Sequence, residues 1–292
     1  MTTFDKMTSE EQVASLSDCV DSILGQYELG AVETESINHE YNSTFKVTAE
    51  SGAKYALRVN INSGRSLENL RAEVFWVSNI KDVLVPKPVA NSTGEFVTTG
   101  WHEATGKNLN AVLYTWLEGS EPGDEPSTEA LFAAGAAMAK LHESARDLVL
   151  PSDAALPDYS DFFWGWKGLL LSKESELDDS EKRLVVRAKA AVEEALAELS
   201  KSDSPRPIHA DIHPWNMMWH EGEIAIFDFD DSGIGLPIQD LATSLYYLDT
   251  EEQDQAFLAG YASVRPLPDY TDEQMKLLLL QRRPVSYTHL RA

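Results

Sequence analysis

The amino-acid sequence predicts an α+β fold, with a small antiparallel sheet and one helix in a first part and a larger, mainly helical second part. The alternation of apolar and polar residues that is typical of strands is concentrated before residue 117. Residues 117–126 are rich in acids and turn formers, and after them apolar residues recur at helical spacing. A chain of 292 residues is long enough for one large domain or two modest ones.

Two strands in the first part are expected to form a hairpin. Residues 43–48 and 54–60 both alternate, and the turn formers at 51–52 separate them. In the second strand, Leu57 lies on one face and Arg58 on the other, because successive side chains of a strand point in opposite directions. The pattern therefore predicts a half-buried antiparallel pair.

The other elements follow from the same spacing rules. Residues 66–80 are predicted to form the one helix of the first part, with its apolar residues on one stripe. Ser127 or Thr128 is the expected N-cap of the first helix of the second part. The remaining predicted elements are two extended runs (95–99 and 111–116), two long helices (127–146 and 180–199) and a strand-loop-strand segment (206–230).

These elements divide the chain into a first domain at residues 1–116, a linker at 117–126 and a second domain at 127–283. Residues 281–292 have no helical period, which predicts that the preceding helix ends near their start. We interpret residues 284–292 as a non-native tail.

The composition argues against several classes of function. The formal net charge is −24, which disfavours nucleic acid and anionic membranes, because both require clusters of Lys and Arg. The simplest interpretation of the acidity is that it keeps the protein soluble. It would also steer a cationic partner towards the chain over long range. Cys19 is the only cysteine, so no disulfide framework is expected. With neither a secretory signal nor a bilayer-spanning apolar run, we expect a cytoplasmic protein.

One segment carries a pattern that points to chemistry. It contains His209, Asp211 and Asn216 in the spacing His-x-Asp-x-x-x-x-Asn, and Asp228 ends the alternating strand that follows. Phosphoryl transfer requires a carboxylate that orients the attacking hydroxyl, together with oxygen ligands for Mg²⁺. Asp211 is therefore the candidate catalytic base, and Asn216 and Asp228 are the candidate metal ligands.

The order of these residues resembles the aminoglycoside phosphotransferase and choline kinase family. The family's catalytic loop and metal strand correspond to His209–Asn216 and to Phe227-Asp228-Phe229, and Leu141-His-Glu-Ser resembles the end of its first C-lobe helix. The resemblance implies a protein-kinase-like two-lobed fold and a Mg²⁺-dependent transfer of the γ-phosphate of ATP, with GTP as the alternative donor. It also implies that Asp240 braces the catalytic loop and that His209 has a structural role.

The resemblance extends to nucleotide-binding residues of the first part. It implies that Arg58 binds the phosphates, where many members have Lys, and that Glu73 holds Arg58. Glu73 lies on the apolar stripe of its helix, where a carboxylate is costly unless it is paired. An ordinary surface pair is the alternative interpretation of these two residues.

No Gly-rich phosphate loop is present. Residues 39–44, which include Ser43, would instead offer backbone N–H groups and hydroxyls to the phosphates. Residues 114–118 would form the hinge that holds adenine, which makes Trp116 and Glu118 candidate nucleotide-binding residues.

The acceptor and the exact class of function stay open at this level. Acceptors used across the family include aminoglycosides, choline-like amines and homoserine, and the acidity of the chain favours a cationic small-molecule hydroxyl. Residues 162–167 are either helix core or, with Asp158 and Asp161, the lining of an amine pocket. The alternatives to a small-molecule kinase are a protein Ser/Thr kinase, a non-catalytic nucleotide-binding module and a metallohydrolase that uses His209, Asp211, His213 and Asp228.

Overall fold

The computed structural model describes residues 4–166 and 168–289. The chain forms two compact units, of which the first comprises Met1–Asn79 and Pro86–Leu117 and the second comprises Ile80–Val85 and Glu118–Ala292. Within the described ranges, no helix combines the length and the apolar character needed to cross a bilayer.

The first unit is built on one antiparallel sheet with the strand order β1-β2-β3-β5-β4. The strands are β1 (Val32–His39), β2 (Asn42–Ala49), β3 (Lys54–Asn60), β4 (Val97–His102) and β5 (Lys107–Thr115). The predicted hairpin is confirmed as β2 and β3, and Gly52 in its turn has a φ of 86°, a conformation that favours glycine. Leu57 is buried in the core on one face of β3, as the alternation predicts.

The same unit contains helices that the sequence did not predict. The described helices are α1 (Ser9–Ser15), α2 (Ser17–Leu24) and α3 (Leu67–Asn79), of which only α3 was expected. Both α1 and α2 are shorter than the window over which helical periodicity becomes evident. Ile23 of α2 is fully buried in the core that contains Leu57, so packing against the sheet stabilises a helix that is too short to be stable alone.

The second unit is mainly helical. Its long helices are α4 (Thr128–Ser144), α5 (Asp179–Leu199), α6 (Pro237–Tyr246), α7 (Glu251–Ala262) and α8 (Asp272–His289). Ser127 caps α4 as expected, and its hydroxyl accepts a hydrogen bond from the N–H of Ala130. Helices α4 and α7 pack very closely at Gly135. A Cβ atom at this position would lie only 1.9 Å from the carbonyl oxygen of Phe257, so the approach requires glycine.

Short strands frame the segment at residues 206–230. Strand β6 (Arg206–Ile208) pairs with β9 (Gly233–Gly235), and β7 (Met217–His220) forms a hairpin with β8 (Glu223–Ile226). The carbonyl oxygen of Leu84 accepts a hydrogen bond of 3.0 Å from the N–H of Ile226. This contact explains why residues 80–85 group with the second unit, whereas the sequence analysis placed them in the first domain.

Two local expectations were wrong. Residues 162–166 form turns rather than a helix, although Phe162 and Trp164 are buried as core residues. Helix α8 continues to His289, past the predicted end near residue 281. At that predicted end Gln281 and Arg282 are both buried, so packing there outweighs the poor local pattern. The interpretation of 284–292 as a tail stays a prediction, and its last three residues lie outside the described range.

Candidate active site

The loop between β6 and β7 contains the His-x-Asp-x-x-x-x-Asn motif, and its backbone is held by Asp240. Asp240 lies in the first turn of α6, where the helix dipole favours a carboxylate. One carboxylate oxygen accepts a hydrogen bond from the N–H of His209 at 3.0 Å, and the other accepts one from the N–H of Ala210 at 2.6 Å. These bonds fix the two residues that precede Asp211.

Asp240 is in turn part of a fully buried network that joins three helices. His142 at the end of α4 donates from Nε2 to Asp240 at 2.9 Å, and the hydroxyl of Tyr261 on α7 lies 2.9 Å from Nδ1. Because Nε2 of His142 donates its proton to Asp240, we assign Nδ1 of His142 as the acceptor of the hydrogen bond from the Tyr261 hydroxyl. Burial raises the pKa of Tyr261 above its ordinary value, so the hydroxyl is a dependable donor.

His209 connects the loop to the strand that leads to Asp228. Its Nε2 lies 2.9 Å from the carbonyl oxygen of Phe227, to which it donates, and its Nδ1 accepts a hydrogen bond from the N–H of Asp211 at 3.2 Å. Burial lowers the pKa of this fully buried histidine, although the charges of Asp240 and Asp211 oppose the shift. The ring is therefore neutral, and both of its nitrogens are engaged by the backbone.

Asn216 contacts Asp211 through its amide nitrogen. That nitrogen donates to the side-chain Oδ2 and to the carbonyl oxygen of Asp211, each at 3.0 Å. The carbonyl oxygen of Asn216 accepts a hydrogen bond of 3.1 Å from the N–H of Phe227, the residue before Asp228. These bonds connect Asp211 to Asn216, and Asn216 to the residue before Asp228. Asp228 itself is exposed and has a left-handed φ of 60°.

The donor atoms available here fit a hard divalent cation. Because the amide nitrogen of Asn216 is occupied by two acceptors, its oxygen is the atom left to bind a metal, and Asp228 offers an exposed carboxylate. Mg²⁺ prefers such oxygen ligands together with phosphate and water. Asn216 and Asp228 therefore fit the metal that the sequence predicts.

A zinc-type hydrolase centre does not fit. Among the described residues, no group of three or more His, Cys, Asp and Glu side chains is arranged to hold a metal ion. His209, which such a centre would use, has both ring nitrogens committed to the backbone. The metallohydrolase alternative is not supported.

Arg282 of α8 pairs directly with the candidate base, which the sequence analysis missed. Its Nη2 donates to Oδ1 of Asp211 and to the hydroxyl of Tyr247 at 2.9 Å. The guanidinium also lies 5.7 Å from the ring centre of Trp164 and 5.5 Å from that of Tyr247. A signal existed, because Arg282 follows the buried Leu278 by four residues and so falls on the inward face of its helix.

This ion pair sets the charge of the site. Burial alone would raise the pKa of the Asp211 carboxyl, but the charge of Arg282 and the contact with His213 outweigh it and hold that pKa well below its ordinary value. Burial likewise lowers the pKa of Arg282, and the charge of Asp211 reverses the effect and raises it. Asp211 is therefore an ionised carboxylate at neutral pH.

In the first unit, the predicted phosphate-binding pair is formed and buried. Arg58 Nη2 lies 2.5 Å from Glu73 Oε2, and the hydroxyl of Tyr114 donates to Glu73 Oε1 at 2.6 Å. The side chains of Arg58 and Glu73 are only 8% and 5% exposed, so the surface-pair interpretation is wrong. Tyr114, which the sequence analysis placed in the hinge at residues 114–118, completes this group.

The other proposed nucleotide-binding residues lie at separate places in the chain. Ser43 is buried at the start of β2, and its hydroxyl lies 2.6 Å from Nδ1 of His39. Trp116 follows β5 in the first unit, and the ammonium of Lys46 lies 5.4 Å from its ring centre. Glu118 begins the long segment of the second unit. Their roles stay predictions.

The carboxylates considered for an amine pocket are used locally. Asp161 accepts hydrogen bonds from the N–H groups of Phe163 at 2.6 Å and Gly165 at 3.1 Å, and Asp158 accepts one from Ser160 at 2.8 Å. These bonds stabilise turns. The turn around Phe163 brings Trp164 against Arg282, which connects this region to Asp211.

Comparison with known proteins finds relatives that are named as kinases. A homoserine kinase of Gluconacetobacter diazotrophicus is 31% identical over 195 residues, which cover 63% of this chain and 57% of that protein. An amicoumacin kinase of Bacillus subtilis is 25% identical over 224 residues, which cover 71% of this chain and 65% of that protein. The matched part of the chain thus spans less than two thirds of either relative.

The fold is also shared with a solved structure of an amicoumacin kinase in complex with AMP-PNP, Ca²⁺ and Ami. The two chains are 20% identical with a TM-score of 0.78, over 98% of this chain and 90% of that one. This similarity confirms the protein-kinase-like α+β fold class that the sequence predicted. The model of the phosphotransferase enzyme family matches residues 33–275, most of the chain. The chain belongs to the phosphotransferase enzyme family.

Proposed function

We propose that this protein is a Mg²⁺-dependent kinase that transfers the γ-phosphoryl group of ATP to a hydroxyl of a small molecule. The observation that carries the proposal is the contact between Asp211 and Asn216, in a loop whose backbone is fixed by Asp240 and His209. An ionised carboxylate beside an amide is the arrangement that phosphoryl transfer to an alcohol requires.

The proposed step assigns the proton to Asp211. The acceptor oxygen forms a bond to the γ-phosphorus while the bond from that phosphorus to the bridging oxygen breaks, and ADP leaves with the electron pair. The hydroxyl proton passes to the carboxylate of Asp211. Arg282 keeps this carboxylate ionised. The main task of Asp211 is therefore to orient the hydroxyl and to accept its proton late in a loose transition state.

The metal and the phosphates would be bound by residues whose surroundings within the protein are described above. Asn216 and Asp228 would hold Mg²⁺, which when bound neutralises charge on the transferring phosphoryl group. Arg58 would bind phosphate oxygens with its planar guanidinium, and Glu73 with Tyr114 would keep it in one orientation. The AMP-PNP and Ca²⁺ of the amicoumacin kinase complex support ATP and a divalent cation, and GTP is the alternative donor.

An amine-bearing small alcohol is the acceptor class that we favour. The relatives include a homoserine kinase, and homoserine has both an amine and a primary hydroxyl. The net charge of −24 would attract a cationic molecule over long range. The cytoplasm, where ATP is available, is the compartment in which we place the reaction.

A radiolabel transfer assay tests the proposal. The purified chain would be incubated with γ-labelled ATP and Mg²⁺ against homoserine, choline, an aminoglycoside and casein, with EDTA as the matched control. We expect label on at least one small alcohol, and no label with EDTA. Label on casein alone would favour a protein kinase. Binding of ATP without transfer to any acceptor would favour a non-catalytic module and would contradict the proposal.

A further inference from the structure

We infer that Arg282 is a positioning residue for phosphoryl transfer, which acts by fixing the plane of the Asp211 carboxylate. The inference rests on the proposed function, since it concerns the base of that reaction. Arg282 donates from Nη2 to Oδ1 of Asp211, and it comes from α8, 71 residues further along the chain. The side chain of Arg282 is only 5% exposed.

The Asp211 carboxylate needs more than one contact to hold a single orientation. The terminal torsion of an aspartate is broad, so one hydrogen bond does not determine the orientation of its oxygens. On the Oδ2 side, Asp211 has Asn216 at 3.0 Å and the Nε2 of His213 at 3.4 Å. Arg282 supplies the partner on Oδ1. Contacts on both oxygens determine which lone pairs face an incoming hydroxyl, whereas contacts on the Oδ2 side alone would leave the carboxylate free to turn.

Arg282 is itself held before any ligand binds. Its guanidinium lies 5.7 Å from the ring centre of Trp164 and 5.5 Å from that of Tyr247, and it donates to the hydroxyl of Tyr247 at 2.9 Å. The preceding residue, Gln281, donates to the carbonyl oxygen of Asp161 at 3.0 Å. A buried cation is retained only where its partners are well placed, and here a principal partner is the candidate base.

A partly buried arginine of the same unit, Arg265, provides a matched control. Arg265 pairs with Glu143 at 3.2 Å and with Asp203 at 3.1 Å, and neither carboxylate belongs to the catalytic motif. Its side chain is 12% exposed. Replacing Arg265 therefore removes a similar ion pair that makes no direct contact with Asp211. Its guanidinium also lies 5.8 Å from the ring centre of Tyr261, so the variant reports the effect of losing an ion pair near the Asp240 network but away from the candidate base.

The test compares the steady-state kinetics of Arg282→Met, Arg282→Lys and Arg265→Met with those of the wild type. A misplaced catalytic group costs about 10²-fold in rate, so we expect Arg282→Met to lower kcat by about that factor. We expect its KM for ATP to stay within about threefold, because only the transition state has lost an interaction. Added guanidinium, at concentrations that leave the protein folded, should restore part of the kcat of Arg282→Met and none of the activity of Arg265→Met.

The outcomes separate this inference from the proposed function. If the wild type transfers phosphate and folded Arg282→Met keeps its kcat within threefold, the positioning role is wrong and the kinase stands. If the wild type transfers no phosphate to any acceptor, both fall. If Arg282→Met does not fold, Arg282→Lys and Tyr247→Phe decide the question. Each should lower kcat several-fold at unchanged ATP affinity, and unchanged kcat in both would overturn the inference.

Discussion

The carboxylate of Asp240 accepts a hydrogen bond of 2.6 Å from the backbone N–H of Ala210, which has a left-handed φ of 67°. A residue with a Cβ atom in this conformation costs about 1–2 kcal/mol, so it persists only where other contacts determine it. Because Ala210 directly precedes Asp211, this bond links the first turn of α6 to the direction of the candidate base. Stability and activity should therefore depend together on Asp240.

Replacing Asp240 by Ala is expected to reduce both the stability of the fold and the activity. The substitution leaves the N–H groups of His209 and Ala210 buried without acceptors, and each such loss costs about 1–3 kcal/mol. Urea unfolding monitored by circular dichroism measures the loss, with Asp147→Ala at an exposed position as the control. An unfolding free energy equal to that of the wild type would show that the loop does not depend on this bond.

The metal ligands predict a specific effect on nucleotide binding. Asp228→Ala and Asn216→Ala should abolish the increase in ATP affinity that Mg²⁺ produces, because each removes an oxygen ligand of the ion. Calorimetric titration with ATP, with and without Mg²⁺, measures this increase. The exposed Asp147→Ala should keep it. An undiminished effect of Mg²⁺ in Asp228→Ala would rule out Asp228 as a ligand.

The buried group in the first unit predicts an asymmetry in stability. Glu73→Gln leaves Arg58 with its charge uncompensated, which typically costs about 3–5 kcal/mol, whereas Tyr114→Phe removes one hydrogen bond to a charged group, at about 1.5–3 kcal/mol. The exposed pair Lys201–Glu198 is the matched control, and Glu198→Gln should cost about 0–1 kcal/mol. Equal effects of Glu73→Gln and Glu198→Gln in urea unfolding would contradict the account.

The stability of the fold is also expected to depend on pH through two buried histidines. Burial lowers the pKa of His102 and of His209, so both are neutral in the folded state. The unfolded chain binds their protons near the ordinary pKa of about 6.5, and the folded chain binds them only at lower pH. The unfolding free energy should therefore fall as the pH decreases below about 6.5. Urea unfolding across this range checks the sign, and His102→Gln should make the dependence shallower.

Much of the architecture was predictable from local pattern. The β2–β3 hairpin, α3, α4 and α5 follow from periodicity, turn formers and caps, which act within a few residues. The short helices α1 and α2 were missed because their stability comes from burial of residues such as Ile23 in the sheet core, which is a tertiary effect. The course of α8 past residue 281 was missed for the same reason.

The candidate site divides in the same way. Asp211, Asn216 and Asp228 share one short segment with a recognisable spacing, so the sequence alone was enough to put them forward as candidates. Arg282 and His142 act across 71 and 98 residues respectively, and no local spacing relates them to their partners. The signal available for such residues is a charged side chain on the apolar face of a helix. That signal correctly indicated that Glu73 is paired.

The most direct test of the account is the rate of phosphate transfer by Asp211→Asn. With the acceptor found in the radiolabel assay, this variant should show a kcat lower by about 10²–10⁴-fold, because the proton acceptor is lost. Its affinity for Mg-ATP should be unchanged, and the exposed control Asp147→Asn should retain full activity. Transfer by Asp211→Asn at the wild-type rate would contradict the assignment of Asp211 as the base and the mechanism that depends on it.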